Sequence, residues 1–425
     1  MHFISDQIVA QAQQCIRAPR IIVVTPHGRS GSYFLHSLLD GHPQIASFPF
    51  AFYTSPFPKT TGDLASNIRT WCQAFAPNFD HQTNSFLLGE DSDRVDLDQL
   101  AQCTLELIGD APCTQLSILT ALHLAFAHLQ GRAIEHMDTV LIHMHHYVGK
   151  PDCHATLREQ SAQFRFLGAL RDPREACYSA VVLAEQQSKV RAGMASLKRA
   201  VDTTLKWYFG LEELLKVASP QEMMLVDLNA LHKSGPQGID HIASWAGLDL
   251  APQLHESTFG GYGWSGNSIS KESVDAAFTP SIKINRYPDR MPHAQQRLVE
   301  FFFQPLIETM GYAPIASPMS MQQAFALLQR NLRLQSDYAW GNALKAEWNQ
   351  PETTLIARYP RRAQQLSPFA LRSMNFGRKF AHLARHEVID TFRTNRDPMR
   401  FYKLARLARG LTFNLPDTSL FCERP

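Results

Sequence analysis

Residues 20–40 read RIIVVTPHGRSGSYFLHSLLD, and three patterns follow one another within them. Ile21-Ile22-Val23-Val24 is a continuous β-branched run, the composition of a strand covered on both faces, as in a parallel sheet. Thr25-Pro26-His27-Gly28 breaks it. From Ser30 the spacing turns helical, with Phe34, Leu35, Leu38 and Leu39 on one face until Gly41-His42-Pro43 stops the run. A strand, a glycine turn and a helix start in that order form an arrangement suited to gripping phosphate. The helix start leaves backbone N–H groups without intrahelical partners and presents the positive end of its dipole. Gly28 and Gly31 let the backbone curl close to an anion. Arg29 offers a bidentate charge-assisted contact, and the Ser30 and Ser32 hydroxyls can donate further hydrogen bonds. The pattern is not a Walker A loop, since G-x-x-x-x-G-K-[ST] is absent. A plain glycine turn with an incidental arginine is the competing reading.

Further along, Thr139-Val140-Leu141-Ile142, residues 164–170 and residues 222–228 read as three more apolar strands. Helical spacing precedes them at residues 7–17 and over most of 64–135, and follows at 176–185 and 294–311. Strands alternating with helices predict an α/β fold, an open parallel sheet flanked by helices. The strand at 164–170 ends at Arg171-Asp172-Pro173-Arg174 and leads into a helix, so the logic of the first turn recurs. Pro173 pre-sets the first helical turn, and Arg171 falls at the carboxyl end of a strand, where open α/β sheets bind ligands. Ser179, eight residues on, lies about two turns into the helix. A structural Arg–Asp pair at a helix cap is the alternative. Residues 47–63, with Phe48, Pro49, Phe50, Phe52, Tyr53, Pro56, Phe57 and Pro58, read as an aromatic loop, and residues 260–270 as a glycine-serine loop without regular structure.

The 425 residues are 44% hydrophobic and 19% charged, an ordinary globular composition, and the net charge of +2 argues against a nucleic-acid-binding chain. Charge is unevenly placed. Residues 316–425 carry 17 Lys+Arg against 8 Asp+Glu, a local +9, which leaves residues 1–315 at −7. Pro314 and Pro318 mark the boundary, predicting an α/β domain over 1–315 and a basic helical region over 316–425. Amphipathic stretches fall at 324–348, 370–385 and 399–408, and the region carries Arg361, Arg362, Arg378, Lys379, Arg400, Lys403, Arg406 and Arg409. Packing or oligomerisation, peripheral contact with an anionic membrane, and binding of an acidic glycan all fit such helices. The seven cysteines (Cys15, Cys72, Cys103, Cys113, Cys153, Cys177, Cys422) are odd in number and form no C-x-x-C pair, which fits reduced thiols and a cytoplasmic location. Residues 1–10 have no basic segment before an apolar core, so no signal peptide is expected. The uncharged run 111–131 is interrupted by polar residues and reads as a buried helix.

Taken together, the G-R-S-G-S-Y-F turn with its downstream H-P and the L-R-D-P-R-E-A-C-Y-S segment resemble the sulfotransferases that use 3′-phosphoadenosine 5′-phosphosulfate (PAPS). The likeness spans about residues 20–312 and leans towards carbohydrate and bacterial-type members, which carry an arginine in the loop where cytosolic phenol-type members carry a lysine. It implies a nucleotide-kinase-like sulfotransferase fold with PAPS as donor and no metal. Gly28, Arg29, Ser30, Gly31, Ser32 and Tyr33 would then hold the 5′ end, Phe34 would stand where adenine stacks, and Arg171 with Ser179 would bind the 3′-phosphate. The histidines of Ile142-His143-Met144-His145-His146 fall where a general base is expected. His145 matches the base if His143 replaces a lysine, and a group titrating near neutrality suits an alcohol proton. Alternation puts His143 and His145 on one face and His146 on the other. A metal shared by His143 and His145 lacks further ligands at suitable spacing. Phe48, Phe52, His146 and Trp264 are the candidate contacts for a small-molecule, glycan or lipid acceptor. Residues 224–228 and the segment from Arg286 to Gly311-Tyr312 extend the likeness, although the first lacks the family's tyrosine and glutamate. Asp40 and His42, at the end of the first helix, read as cap residues. The reaction implied is sulfuryl transfer to a hydroxyl. Two alternatives stand beside it: a phosphotransferase on the related nucleotide-kinase architecture, and a nucleotide-binding protein without catalysis.

Overall fold

The computed structural model describes residues 4–26, 28–52, 55–57, 60, 62–79, 95–145, 151–161, 163–188, 201, 204–205, 207–208, 210–212, 214–216, 218–264, 278, 287–315, 318–327, 406, 408–411 and 419. In chain order its elements are α1 (Asp6–Arg17), β1 (Arg20–Pro26), α2 (Ser32–Asp40), β2 (Ile45–Ser47), α3 (Leu64–Phe79), α4 (Leu97–Ile108), α5 (Gln115–Leu129), β3 (Thr139–His143), α6 (Pro151–Gln160) and β4 (Gln163–Leu170). They continue with α7 (Pro173–Ser188), β5 (Met223–Asp227), α8 (Leu228–Ser234), α9 (Pro236–Ala246), β6 (Thr258–Phe259), β7 (Tyr262–Gly263), α10 (Tyr287–Arg290) and α11 (His293–Thr309). Two compact units divide the chain: Met1–Arg171 with Glu213–Ile284 and Asn414–Pro425, and Asp172–Glu212 with Asn285–Phe413.

The first unit holds the predicted α/β fold. Five strands pair in parallel in the order β2-β3-β1-β4-β5. The β-branched run sits in the middle strand, where Ile21, Ile22, Val23 and Val24 are all buried, as a strand covered on both faces requires. Ile22 and Val24 share a core with Leu35, Leu38 and Leu39 of α2, Leu231 of α8 and Ile239, Ile242 and Ala243 of α9. Burying an aliphatic side chain of this size contributes about 1.5–3 kcal/mol, so this apolar cluster holds α2 against the sheet. The four predicted strands are all present. The fifth, β2, is three residues long and lies on one edge. On the opposite edge, Leu225 of β5 donates its backbone N–H to Ser419 Oγ at 3.2 Å.

Residues 260–263 depart from the expected irregular loop. β6 and β7 form a short antiparallel hairpin across Gly260 and Gly261, whose φ values are +59° and +82°. Two positive φ angles are what the tight turn of a two-residue hairpin needs, and paired glycines supply them without strain. Helical residues 321–327, 406, 408 and 409 belong to the region expected to be helical. Arg361, Arg362, Arg378, Lys379, Arg400 and Lys403 lie outside the described residues.

Candidate functional site

β1 ends at Pro26 and α2 begins at Ser32, and the turn between them is built from unusual backbone. Gly31, the N-cap of α2, has φ +80°, and Arg29 has φ +55°, a left-handed conformation that costs a residue with a Cβ roughly 1–2 kcal/mol. A Cβ on Gly31 would lie 2.6 Å from Leu228 Cδ1, so glycine meets both a conformational and a spatial demand. As N-cap, Gly31 has no side chain to offer the first turn of α2. Beneath it Ser30 is 1% exposed, and its hydroxyl has no hydrogen-bond partner among the described residues. A buried hydroxyl without a partner carries a desolvation penalty of about 1–3 kcal/mol. With half-buried Arg29 alongside, the turn has the chemistry of an anion-binding helix start.

The sheet places a second candidate residue level with that turn. β1 and β4 are neighbours whose register pairs Pro26 with Ala169, so Gly28 and Arg171 leave the sheet two residues beyond a matched pair. From β1 the chain crosses to β2 on one side, and from β4 it goes to β5 on the other, so the order reverses between them. Such a switch point opens a crevice at the carboxyl ends of the strands. Arg171 is buried, and together with burial it presses the nearby His232 imidazole down to about 4, burial being the larger cause. The His232 ring stacks on Phe34 at 4.5 Å and 10°, and Phe278 meets Phe34 edge-on at 5.7 Å. Phe34 therefore belongs to a small aromatic stack in the neighbourhood of Arg171.

The histidines divide by burial. His143, at the end of β3, is 1% exposed; its Nε2 lies 3.1 Å from Ser32 Oγ and its Nδ1 3.2 Å from Nδ1 of His36. Burial holds His36 down to about 4, against a small upward pull from Asp40. Burial, helped by His36 and His145, holds His143 well below the ordinary value. A neutral ring with both nitrogens engaged by protein is not open to an acceptor, so His143 serves the loop as a hydrogen-bond partner of Ser32. His145 is half-buried, and its backbone N–H donates to the Phe52 carbonyl at 2.9 Å while Phe52 donates to the His143 carbonyl at 2.7 Å. The Tyr33 ring lies 4.8 Å from His143 and 6.3 Å from His145, so both rings approach it, as strand alternation predicts. His146 lies outside the described residues.

The expected acceptor contacts need correction. Phe48 and Phe52 are 1% and 5% exposed and pack with Phe50, Phe75 and Phe79; Phe48 also stacks on His123 at 3.8 Å. Their faces are spent on one another, so this aromatic segment is core. Trp264 is half-buried and meets Phe259 of the hairpin edge-on at 5.0 Å. Asp40 is not a cap either. Fully buried, it accepts from Ser47 Oγ at 2.6 Å, Thr258 Oγ1 at 3.0 Å and Gly261 N at 3.2 Å, tying α2 to β2 and to the hairpin. His42 accepts from Gln44 N at its Nδ1, which leaves its Nε2–H to donate to the Asp249 carbonyl. Sequence reasoning passed over His36, whose one signal was its position four residues after Ser32 on α2.

In the second unit the polar groups of Arg171-Asp172-Pro173-Arg174 that follow Arg171 are occupied. Asp172 Oδ1 accepts from the backbone N–H of Arg174 at 2.9 Å, capping α7, and its carboxylate takes the Arg174 Nε and Nη2 groups. Arg174 Nη1 reaches Glu300 and the Ala313 carbonyl, and its guanidinium lies 5.1 Å from the Tyr287 ring centre. The structural alternative for Asp172 and Arg174 therefore holds. Ser179, on α7, is buried and belongs to this unit, whereas Arg171 ends the first. Arg286, Ser265 and Ser268 lie outside the described residues. Among the described residues no group of three or more His, Cys, Asp or Glu side chains is placed to hold a metal ion, and no helix is long and apolar enough to cross a membrane.

No protein-family model matches this chain, and no curated protein does. Among solved structures the chain is similar to the sulfotransferase domain from the curacin biosynthetic pathway, with a TM-score of 0.38 and 13% identity over 70% of this chain and 99% of that one. The sulfotransferase domain of the Synechococcus PCC 7002 olefin synthase gives 0.38 and 14% over 67% and 95%. A sulfotransferase from Mycobacterium tuberculosis H37Rv gives 0.34 and 15% over 58% and 74%. Likeness at this level says nothing of donor, acceptor or site residues, which rest on the chain's own geometry.

Proposed function

We propose that this chain is a sulfotransferase, moving a sulfuryl group from PAPS to a hydroxyl of a carbohydrate or glycolipid by in-line displacement. The observation that carries the proposal is the turn at residues 28–31, where the Ser30 hydroxyl is buried without a partner among the described residues, at the start of a helix whose N-cap is a glycine. Gly28, Arg29, Ser30, Gly31, Ser32 and Tyr33 hold the 5′ end of the donor, and Phe34 takes its adenine side. Arg171 and Ser179 are assigned to the 3′-phosphate. The donor supplies the sulfuryl group. His145 takes the proton of the acceptor hydroxyl at a ring nitrogen, and Arg29 offsets the charge left on the departing phosphate. No metal is needed where a cation and helix-terminal amides provide that charge. The α/β domain at 1–315 carries this chemistry in the cytoplasm. The basic region at 316–425 serves packing, oligomerisation or contact with an anionic membrane or glycan.

Transfer of labelled sulfate from PAPS to a panel of glycans, lipids and phenols tests the proposal, together with calorimetry against adenosine 3′,5′-bisphosphate and ATP. Preference for ATP would favour a phosphotransferase and overturn it. His145→Ala is expected to keep nucleotide binding and lose transfer, and full activity in that variant removes the base assignment. A nucleotide binder without catalysis has one observation in its favour: His143, one of the candidate catalytic histidines, is buried and neutral with both ring nitrogens engaged by protein.

A further inference from the structure

Ser32, His143 and His36 form a hydrogen-bonded row from the first residue of α2 into the core, with separations of 3.1 Å and 3.2 Å. Both imidazoles are buried and both are held neutral by that burial, so each carries one N–H. Only two proton arrangements satisfy both contacts. In one, Ser32 donates to His143 Nε2, His143 Nδ1–H donates to His36 Nδ1, and His36 bears its proton on Nε2. In the other every bond runs the opposite way: His36 Nδ1–H donates to His143 Nδ1, and His143 Nε2–H donates to Ser32 Oγ. The end of the row decides between them. His36 Nε2 is buried and has no hydrogen-bond partner among the described residues. In the first arrangement that atom is an N–H buried without an acceptor, the rarer and costlier defect; in the second it is a bare lone pair.

We propose that His36 is a positioning residue that, through His143, fixes the Ser32 hydroxyl as a hydrogen-bond donor to an anion at the start of α2. With its lone pair occupied by His143 Nε2–H, Ser32 directs its proton away from the row. The hydroxyl then meets a fully ionised phosphate or sulfate oxygen, which only accepts, without first reorienting. Among the described residues the ionisable groups around the row are Tyr33 and His145 beside His143, and Asp40 and His123 beside His36. Asp40 is engaged by Ser47, Thr258 and Gly261. This role rests on the nucleotide reading above, but the direction of the row does not.

Two measurements on the full-length chain test it. Long-range nitrogen–proton NMR of protein labelled with ¹⁵N in its histidine rings reads the tautomers directly. His36 protonated on Nδ1 and His143 on Nε2 at neutral pH is the expected result; the reverse pair, or a doubly protonated ring, overturns the proposal. Asparagine places an amide where Nδ1 stood, so His36→Asn can keep the contact while His36→Leu cannot. Affinity for adenosine 3′,5′-bisphosphate should fall about tenfold in His36→Leu and recover most of the loss in His36→Asn. Binding of adenosine, which lacks the anion, should be equal in both variants. An equal loss of both ligands in both variants would mark His36 as merely structural and overturn the proposal. Wild-type protein that binds no adenosine 3′,5′-bisphosphate would instead defeat the nucleotide reading, with the tautomers still deciding the direction of the row.

Discussion

Two strand–turn–helix junctions share a layout and differ in what their polar groups do. At the β1–α2 junction Ser30 is buried without a partner among the described residues, the N-cap is a glycine with no side chain, and Arg29 sits in left-handed backbone. At the β4–α7 junction Asp172 caps the helix, Arg174 locks onto Asp172 and Glu300, and Tyr287 closes over the guanidinium. The first is arranged at a cost to folding that a bound anion would offset. The second satisfies itself and holds its unit together. Arginine in a motif is thus a poor guide to ligand binding until its partners are known.

The sharpest way to break the contrast is to remove one arginine from each side. Arg174→Ala strands a buried Asp172 carboxylate, so urea unfolding should show a loss of about 3–5 kcal/mol. Affinity for adenosine 3′,5′-bisphosphate, measured where the variant is folded, should barely change. Arg29→Ala should do the reverse: sulfuryl transfer falls about 10²–10³-fold, while stability falls by less than in Arg174→Ala, because Arg29 is only half-buried. If Arg174 governs affinity and Arg29 governs folding, the contrast is inverted.

Acid sharpens it further, because the first junction is backed by neutral histidines. His36 and His123 are held by burial to about 4 and about 3, whereas in the unfolded chain each titrates near 6.5. Between about pH 6.5 and 4 the unfolded state binds more protons, so stability should fall as pH drops, by about 1.4 kcal/mol per pH unit for each such histidine. Above that window the contribution is complete. Denaturant midpoints at pH 7, 6 and 5 measure the slope, and His36→Asn should reduce it. Ser30→Ala gives the smallest change. Deleting an unsatisfied hydroxyl should leave stability unchanged or raise it by up to about 1 kcal/mol, while nucleotide affinity drops about tenfold.

The parallel sheet was legible because Ile21–Val24 and three later apolar runs are long enough to show a pattern. β2, with three residues, is too short to show one. The hairpin had a signal in its paired glycines, which the surrounding glycine and serine content masked. Around the site, the glycine turn between β1 and α2 could be read locally, since its residues are neighbours in sequence. The His36–His143 contact joins residues 107 apart, and the Asp40–Thr258 bond spans 218. Local spacing cannot reveal such pairs, so Asp40 looked like a cap and His36 like one more helical residue. Burial misled in the opposite sense at Phe48 and Phe52, where an aromatic-rich loop on paper is a packed cluster in space.

The left-handed backbone at Arg29 sets two kinds of selection against each other. Glycine would relieve roughly 1–2 kcal/mol of conformational strain there, offset in part by about 0.5–1 kcal/mol for its greater freedom in the unfolded chain. A library of variants sorted for thermal resistance should therefore tolerate or enrich Arg29→Gly. The same library sorted for turnover should purge it. Position 29 is where such sorting would separate what the chain needs to fold from what it needs to work.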